Sequence, residues 1–218
     1  MPQLVIFGNT QAAVLAHYYF SSDSDYEVSA FAVDEPFITT PTLEGLPVLS
    51  VDEAFEKHPP ESHHFFVALG YSKMNRLREE TCLRIKKAGY KLASYVSSRC
   101  TWLSQKPPGE NCLILEDNTI QPFSEIGNNI TLWSGNHIGH HSVIEDHCFV
   151  SSHVVVSGNV NVGHHSFLGV NSSIADGVRI APFTLLGAGV TMTKDSTEHG
   201  VYVPQKAVQL DQKSDHFI

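Results

Sequence analysis

An aliphatic residue occupies every sixth position across the second half of this chain. Counting by six from Ile114 to Met192 gives fourteen positions, and each holds Ile, Leu, Val or Met. Neither an α-helix, with its period of about 3.6 residues, nor a strand, with its period of about two, produces this spacing. A fixed six-residue repeat predicts a coil of short parallel strands. Three hexapeptides make one triangular turn, and residues eighteen apart stack along the axis.

The aliphatic residues at every sixth position are predicted to line the interior of that coil. Each aliphatic side chain points into a narrow prism in which a polar group would find no partner, so burial of these side chains fixes the register. The residue that follows is often small, as at Gly127, Gly139 and Gly163. A small residue is typical of a corner where a large side chain would clash.

The first hundred residues alternate between strand and helix patterns. Short apolar runs end at Gly8, Asp34 and Gly70, a fourth strand is predicted at 92–97, and residues 74–90 have an amphipathic helical pattern. This alternation predicts a small parallel sheet, which binds ligands at the carboxyl ends of its strands. The first turn, "GNTQAA", lacks the three glycines of a dinucleotide-binding loop, so a dehydrogenase is disfavoured and Gly8 can also serve as a plain tight turn.

A segment with two prolines and a glycine, 97–109, interrupts both patterns and predicts a domain boundary. The sequence thus divides into a Rossmann-like α/β domain, residues 1–100, and a parallel β-helix with a C-terminal tail, residues 101–218.

Composition excludes several classes of protein. The formal net charge of −9 repels a phosphate backbone, so nucleic acid is not an expected partner. The four cysteines include no C-x-x-C pair, which favours reduced thiols in a cytoplasmic protein over a disulfide framework. No apolar run approaches the roughly 20 residues of a membrane span, and no basic, apolar leader opens the sequence.

The coil contains seven histidines, and none occupies an inward sixth position. Three roles remain open for them: metal ligands, ordinary surface residues, or a general base. Metal is disfavoured because no two of them are five apart, as in the H-x-x-x-x-H pair of zinc-binding coils, and because adjacent histidines diverge. The seven are His137, His140, His141, His147, His153, His164 and His165.

His140 has the spacing expected of a base. It stacks between Pro122 and Gly158, and a glycine beside a histidine leaves a gap into which an elongated ligand can be laid against the backbone. Histidine is the usual group for taking a proton from a hydroxyl or amine at neutral pH.

Three segments resemble one family of enzymes: the opening "VIFGN", the coil segment from "SGNHIGHHSVIEDHCFV" to "SSIADGVRI", and the closing "GVYVPQKA". They are similar to the bacterial sugar acyltransferases grouped with the sialic acid O-acetyltransferases and the bacillosamine-pathway N-acetyltransferases. The resemblance implies a left-handed β-helix and a homotrimer with active sites at subunit interfaces. It also implies acetyl-CoA as donor and a nucleotide-linked sugar held partly by the first domain.

The resemblance also implies site residues. The family's base falls on His140, where His141 replaces the carboxylate that usually follows, so Glu145 or Asp146 is left to orient the ring. The implied cofactor contacts are Gly158, Val170, Ala188, Lys194 and Lys206, with Arg179 a further phosphate candidate. The implied substrate contacts are Gly8, Asn9, Asp34, Gly70, Ser72, Lys73, Trp133, Asn136 and His137, with Arg76 closing the pocket.

We therefore expect an acetyl-CoA-dependent N-acetyltransferase that acts on the amino group of a nucleotide-activated amino-deoxy sugar in bacterial surface-glycan biosynthesis, by direct attack and without a metal. The alternatives are a sugar O-acetyltransferase, a zinc-dependent protein of the carbonic anhydrase type, and a non-catalytic scaffold.

Overall fold

The computed structural model describes residues 2–205 and shows an α/β unit followed by a left-handed parallel β-helix, as the sequence predicts. Lys206 lies outside the described residues. No helix in the described range is long and apolar enough to cross a membrane.

The α/β unit is a five-stranded sheet flanked by helices. Every strand pair is parallel except the β3–β4 hairpin, and the strand order is β3-β4-β2-β1-β5. The carboxyl ends of β1, β2 and β5 therefore share one edge of the sheet. The strands are β1 (Gln3–Phe7), β2 (Glu27–Val33), β3 (Thr42–Leu43), β4 (Leu46–Ser50) and β5 (His63–Val67), and the helices are α1 (Gln11–Ser22), a 3-10 turn (Glu35–Phe37), α2 (Val51–Lys57) and α3 (Arg76–Lys87).

The fourth predicted strand does not belong to this sheet. Leu92 makes a single bridge to Phe65, and the chain then leaves the sheet. Residues Tyr95–Val96 pair instead with Leu113–Ile114 of the coil. The first rung of the β-helix therefore starts inside the segment that the sequence analysis assigns to the first domain.

Two-residue strands build the three walls of the β-helix, numbered β6 to β22 in chain order. Wall 1 contains Tyr95–Val96, Leu113–Ile114, Thr131–Leu132, Phe149–Val150, Phe167–Leu168, Leu185–Leu186 and Val201–Tyr202. Wall 2 contains Thr101–Trp102, Thr119–Ile120, His137–Ile138, Val155–Val156, Ser173–Ile174 and Thr191–Met192. Wall 3 contains Glu125–Ile126, Val143–Ile144, Asn161–Val162 and Arg179–Ile180. Paired strands are parallel, and partners are eighteen residues apart in most rungs.

The predicted core of the coil is confirmed. All fourteen sixth residues point inward and are at most 6% exposed. Each buried aliphatic side chain stabilises the coil by about 1.5–3 kcal/mol, as an upper estimate. The residue two places before each of them is buried as well, so every hexapeptide contributes two inward side chains.

One residue of each hexapeptide adopts a left-handed backbone conformation, three places before the aliphatic residue. Glycine and asparagine tolerate positive φ best, and histidine is also enriched there. The positions are Asn111, Asp117, Phe123, Asn129, Gly135, His141, His147, His153, Asn159, His165, Asn171, Gly177, Phe183 and Gly189. Part of the histidine content of the coil is therefore explained by corner geometry.

The α/β unit packs against wall 1. The outward side chains of this wall, Leu113, Thr131 and Phe149, are at most 9% exposed because the unit covers them. Tyr71 contacts the rings of Phe149 and Phe167. Walls 2 and 3 carry mainly polar outward residues and are not covered by this unit.

Candidate active site

His140 lies on the corner between walls 2 and 3, opposite wall 1. Its main-chain N–H donates to Gln121 Oε1 at 2.9 Å, which fixes the backbone, and its side chain is exposed. Its ring Nδ1 is 3.1 Å from Nδ1 of His141, whose own ring packs on Phe123. One of the two Nδ1 atoms must carry a proton for this contact to be a hydrogen bond.

The contact with His141 is compatible with a tautomer of His140 that can act as a base. If His140 Nδ1–H donates to His141 Nδ1, the lone pair of His140 Nε2 is free to accept a proton. In this arrangement His141 is the group that contacts the ring at Nδ1. The ring is thus held by its sequence neighbour.

The expectation that Glu145 orients His140 is wrong. Glu145 accepts from the main-chain N–H of His164 at 3.0 Å and from Asn161 at 3.2 Å, at the corner between walls 3 and 1. Glu145 thus accepts the main-chain N–H of His164 in the same way that Gln121 accepts the main-chain N–H of His140. Asp146, the other candidate, accepts from the main chain of Asn128.

Gly158 lies beside the His140 ring on the next coil. A Cβ at this glycine would lie 2.6 Å from Cε1 and 2.8 Å from Nε2 of His140, so the ring occupies the space that a side chain would fill. Among the hydrogen bonds of residues 2–205, none uses the Gly158 N–H as donor. The Gly158 N–H lacks an acceptor because Gly139 has no side chain. At the same position of the repeat, Gln121 and Glu145 supply side-chain acceptors for the corresponding N–H groups. An imidazole and a free main-chain N–H thus share one corner.

The predicted cofactor contacts do not form one column. Val170 and Ala188 stack at the corner between walls 1 and 2, where Gly189 N–H donates to Val170 O at 2.8 Å. Gly158 lies across wall 2 at the other corner, because it is twelve rather than eighteen residues from Val170. Lys194 is exposed near the last rung of wall 2.

A cavity of about 360 Å³ lies between the α/β unit and part of wall 1. Two predicted substrate residues, Gly70 and Trp133, line it, together with Gln11 of helix α1 and Tyr71 and Phe149. It opens where strand β5 ends, as expected for a ligand site on a parallel sheet. Most of its lining is apolar.

Arg78 forms part of that lining and was not expected from the sequence. Its side chain is fully buried, and its guanidinium donates to Thr131 Oγ1 at 2.6 Å and to Asn111 O at 3.0 Å. Its Nε has no partner, and no carboxylate pairs with it within residues 2–205. Burial lowers its pKa. The helical pattern alone did not reveal that this cation faces inward.

The turn residues of the sheet edge are partly occupied by internal contacts. Gly8 has φ +135° and lies so close to Ala68 O that a Cβ would be 2.9 Å away, so the turn requires glycine. Asn9 donates to Phe37 O at 2.7 Å, and Asp34 accepts from Arg84 at 2.7 Å. Their roles in substrate binding remain predictions.

The other predicted substrate residues are scattered. Ser72 and Lys73 are exposed in the turn before α3. His137 faces outward from wall 2. Asn136 cannot contact a substrate, because it is 2% exposed and bonds Trp133 O and Val154 N–H inside the coil. It stands two places before Ile138, at the second inward position of the repeat.

A second group of histidines joins the coil to helix α3. The rings of His147 and His165 pack at a tilt of 40° with centroids 4.6 Å apart, and their Nε2 atoms are 3.3 and 3.1 Å from the two carboxylate oxygens of Glu79. The donor atoms lie within 4.8 Å of one another, a spacing that suits Zn²⁺. Spacing in the sequence does not reveal this trio, because the histidines are a full coil apart and Glu79 is in the other unit.

A hydrogen-bond relay argues against His147 as a metal ligand. Val67 N–H donates to Asn111, whose amide donates to Asn129, and the Asn129 amide lies 3.0 Å from His147 Nδ1. The main-chain donor fixes the direction of the relay, so Nδ1 accepts and the proton of His147 is on Nε2, facing Glu79. A metal ion bound at Nε2 would need the lone pair that this proton occupies. Burial lowers the pKa of both His147 and His165, and the trio is a hydrogen-bonded latch between α3 and the coil.

Comparison with known proteins agrees with the fold. No protein-family model matches the chain. A 2,3,4,5-tetrahydropyridine-2,6-dicarboxylate N-succinyltransferase of Xylella fastidiosa is 28% identical over 127 residues, or 49% of this chain, and the chain spans just under half the length of that relative (46%).

Two solved structures resemble nearly the whole chain. The acetyltransferase domain of PglB from Neisseria gonorrhoeae FA1090 has a TM-score of 0.82 at 19% identity and covers 96% of this chain and 100% of its own. PerB from Caulobacter crescentus, solved with CoA and GDP-perosamine, has a TM-score of 0.81 at 23% identity and covers 94% of this chain and 95% of its own. These likenesses confirm the predicted left-handed β-helix fold.

Proposed function

We propose that the protein is an acetyl-CoA-dependent N-acetyltransferase that acts on a nucleotide-linked amino-deoxy sugar. The observation that carries the proposal is the corner at His140, where an oriented imidazole stands beside the unpaired N–H of Gly158. A base next to an oxyanion donor is the minimum that direct acyl transfer requires. The names of the similar solved structures support the same chemistry.

In this mechanism His140 Nε2 removes the proton of the acceptor as it attacks the thioester carbonyl. The Gly158 N–H stabilises the negative charge on the carbonyl oxygen. His140 then returns the proton to the departing CoA thiolate. No covalent bond to the protein forms, so positioning of the two substrates supplies most of the remaining rate enhancement.

The acceptor site requires a second copy of the chain. The cavity with Gly70, Trp133 and Arg78 lies against wall 1, whereas His140 is on the opposite corner of the prism. One chain cannot bring them together. We propose a homotrimer in which the cavity of one subunit faces the His140 corner of its neighbour, with Arg78 as the countercharge for an anionic group of the nucleotide sugar.

Acetyl-CoA lies, in this proposal, in the groove between subunits. Gly158 of one subunit and Val170 and Ala188 of its neighbour line the groove, which explains why they lie on different corners. Lys194 and Lys206 meet its phosphates. The free cysteines favour a cytoplasmic location, and surface-glycan biosynthesis is the role that the sequence resemblance implies.

The test is a thiol-release assay with acetyl-CoA across UDP-, GDP- and dTDP-linked amino sugars, with sedimentation velocity for the oligomer. We expect turnover with one nucleotide series and a trimeric mass. Product analysis separates N- from O-acetylation. Turnover that depends on added Zn²⁺ would favour a zinc-dependent protein of the carbonic anhydrase type. Absence of both turnover and CoA binding would favour a non-catalytic scaffold.

A further inference from the structure

Asp176 occupies the place directly beyond Gly158 on the His140 corner. Residues 140, 158 and 176 are eighteen apart and stack on three consecutive coils. A Cβ at Gly158 would lie 2.8 Å from His140 Nε2 and 2.8 Å from Asp176 Oδ2. The carboxylate and the base therefore flank the same glycine, and each extends over it from its own coil.

Asp176 has no structural task that accounts for it. Within residues 2–205 no donor bonds its carboxylate, and no Lys, Arg or His pairs with it. The comparable acids of the coil are used internally: Asp146 bonds the main chain of Asn128, and Asp195 bonds that of Arg179. An unpaired carboxylate beside the candidate base is available to a ligand.

We infer that Asp176 selects a protonated amine as the acyl acceptor and disfavours a hydroxyl at the same position. The inference rests on the proposed function and assigns its preference for N- over O-acylation to one residue. An alkylammonium group is a cation that pairs with a carboxylate through charge-assisted hydrogen bonds, whereas a hydroxyl is neutral and gains much less from the pair. The carboxylate holds the nitrogen next to the base that must deprotonate it.

The bound ammonium loses one proton to solvent to give the free amine, whose lone pair attacks the thioester carbonyl while His140 Nε2 takes a second proton from the nitrogen. The C–N bond forms, the C–S bond breaks, and His140 passes its proton to the CoA thiolate. The products are the amide, CoA thiol and one released proton, and Asp176 stays ionised throughout.

The test compares wild type with Asp176→Asn on the active amino sugar of the nucleotide panel and on the same nucleotide sugar with a hydroxyl in place of the amine. We expect the KM for the amino sugar to rise by roughly 10–100-fold, since a hydrogen bond to a charged group is lost. The KM for acetyl-CoA should stay within about twofold. The ratio of kcat/KM for the amino sugar to kcat/KM for the hydroxyl sugar should therefore be lower in Asp176→Asn than in wild type.

Asp117→Asn is the matched control, because it removes one exposed carboxylate from another corner of the coil and should leave both KM values unchanged. An unchanged amino-sugar KM in Asp176→Asn, or a rise confined to acetyl-CoA, would overturn the role of Asp176 while leaving the proposed function standing. Absence of any turnover by wild type would overturn the proposed function and this inference with it.

Discussion

The His140 imidazole lies against Gly158 on the following coil, in the space that any larger residue would need for its Cβ. Gly158→Ala should therefore displace the ring and lower kcat by roughly 10–100-fold. The atoms that the new methyl meets belong to two exposed side chains, so they can move and stability should change little. Steady-state kinetics and thermal unfolding measure the two effects.

A double-mutant cycle checks the physical reason. If the methyl acts by displacing the imidazole, Gly158→Ala should have no further effect in a His140→Asn background. Additive losses would instead place the effect on the Asp176 carboxylate, the Gly158 N–H or the cofactor groove.

His140→Asn should lower kcat by roughly 10²–10⁴-fold, because it removes the base while keeping a polar side chain. His153→Asn is a matched control, since His153 is also exposed at a corner and its positive φ suits asparagine. It should acetylate like wild type. Normal activity in His140→Asn would show that another group takes the proton.

His141 should act through the tautomer of His140. His141→Phe keeps a ring against Phe123 but removes the Nδ1 acceptor, and we expect kcat to fall on the order of 10-fold or more. His141→Asp places a carboxylate at a residue with φ +57°, which aspartate tolerates. That variant should match or exceed wild type. Equal kcat in the Phe and Asp variants would exclude an orienting role.

The sequence predicted the coil well because its signal is local and repeated. One aliphatic residue in six is visible without any tertiary information. The same pattern places Asn136 at the second inward position of its hexapeptide, so its burial also follows from the repeat. The position of Gly158 and Val170 on different corners follows from the repeat as well, since they are twelve residues apart and a full turn is eighteen.

The rest depended on contacts between distant segments. Docking of the α/β unit on wall 1 creates the cavity at Trp133, buries Arg78 and brings Glu79 to His147 and His165. An amphipathic helix shows which face is apolar but not which wall it meets. The role of Glu145 was likewise hidden, because its partner, the His164 N–H, is nineteen residues away on the next coil.

Glu145→Gln tests that corrected role. A carboxamide oxygen can accept the His164 N–H as Gln121 accepts that of His140, so the corner should keep its shape. We expect kcat and KM within about twofold of wild type, because the lost charge is not part of the acyl-transfer site. A large loss of kcat with normal folding would show that Glu145 takes part in acyl transfer.

Stability should decrease in mildly acidic solution because of the latch between α3 and the coil. Burial lowers the pKa of His147 and His165, with the Glu79 carboxylate opposing that effect, so the unfolded chain binds more protons than the folded one as the pH falls through about 6.5 and below. Each histidine contributes a slope of at most about 1.4 kcal/mol per pH unit. Urea unfolding at fixed protein concentration, between about pH 7.5 and 5.5, measures this slope.

His147→Asn tests the contribution of the latch. Asparagine extends the hydrogen-bond relay of Asn111 and Asn129 at a residue with positive φ, so this variant should flatten the slope. His153→Asn, at an exposed corner, should not change it. An unchanged slope in His147→Asn would mean that the latch does not set the acid sensitivity of the fold.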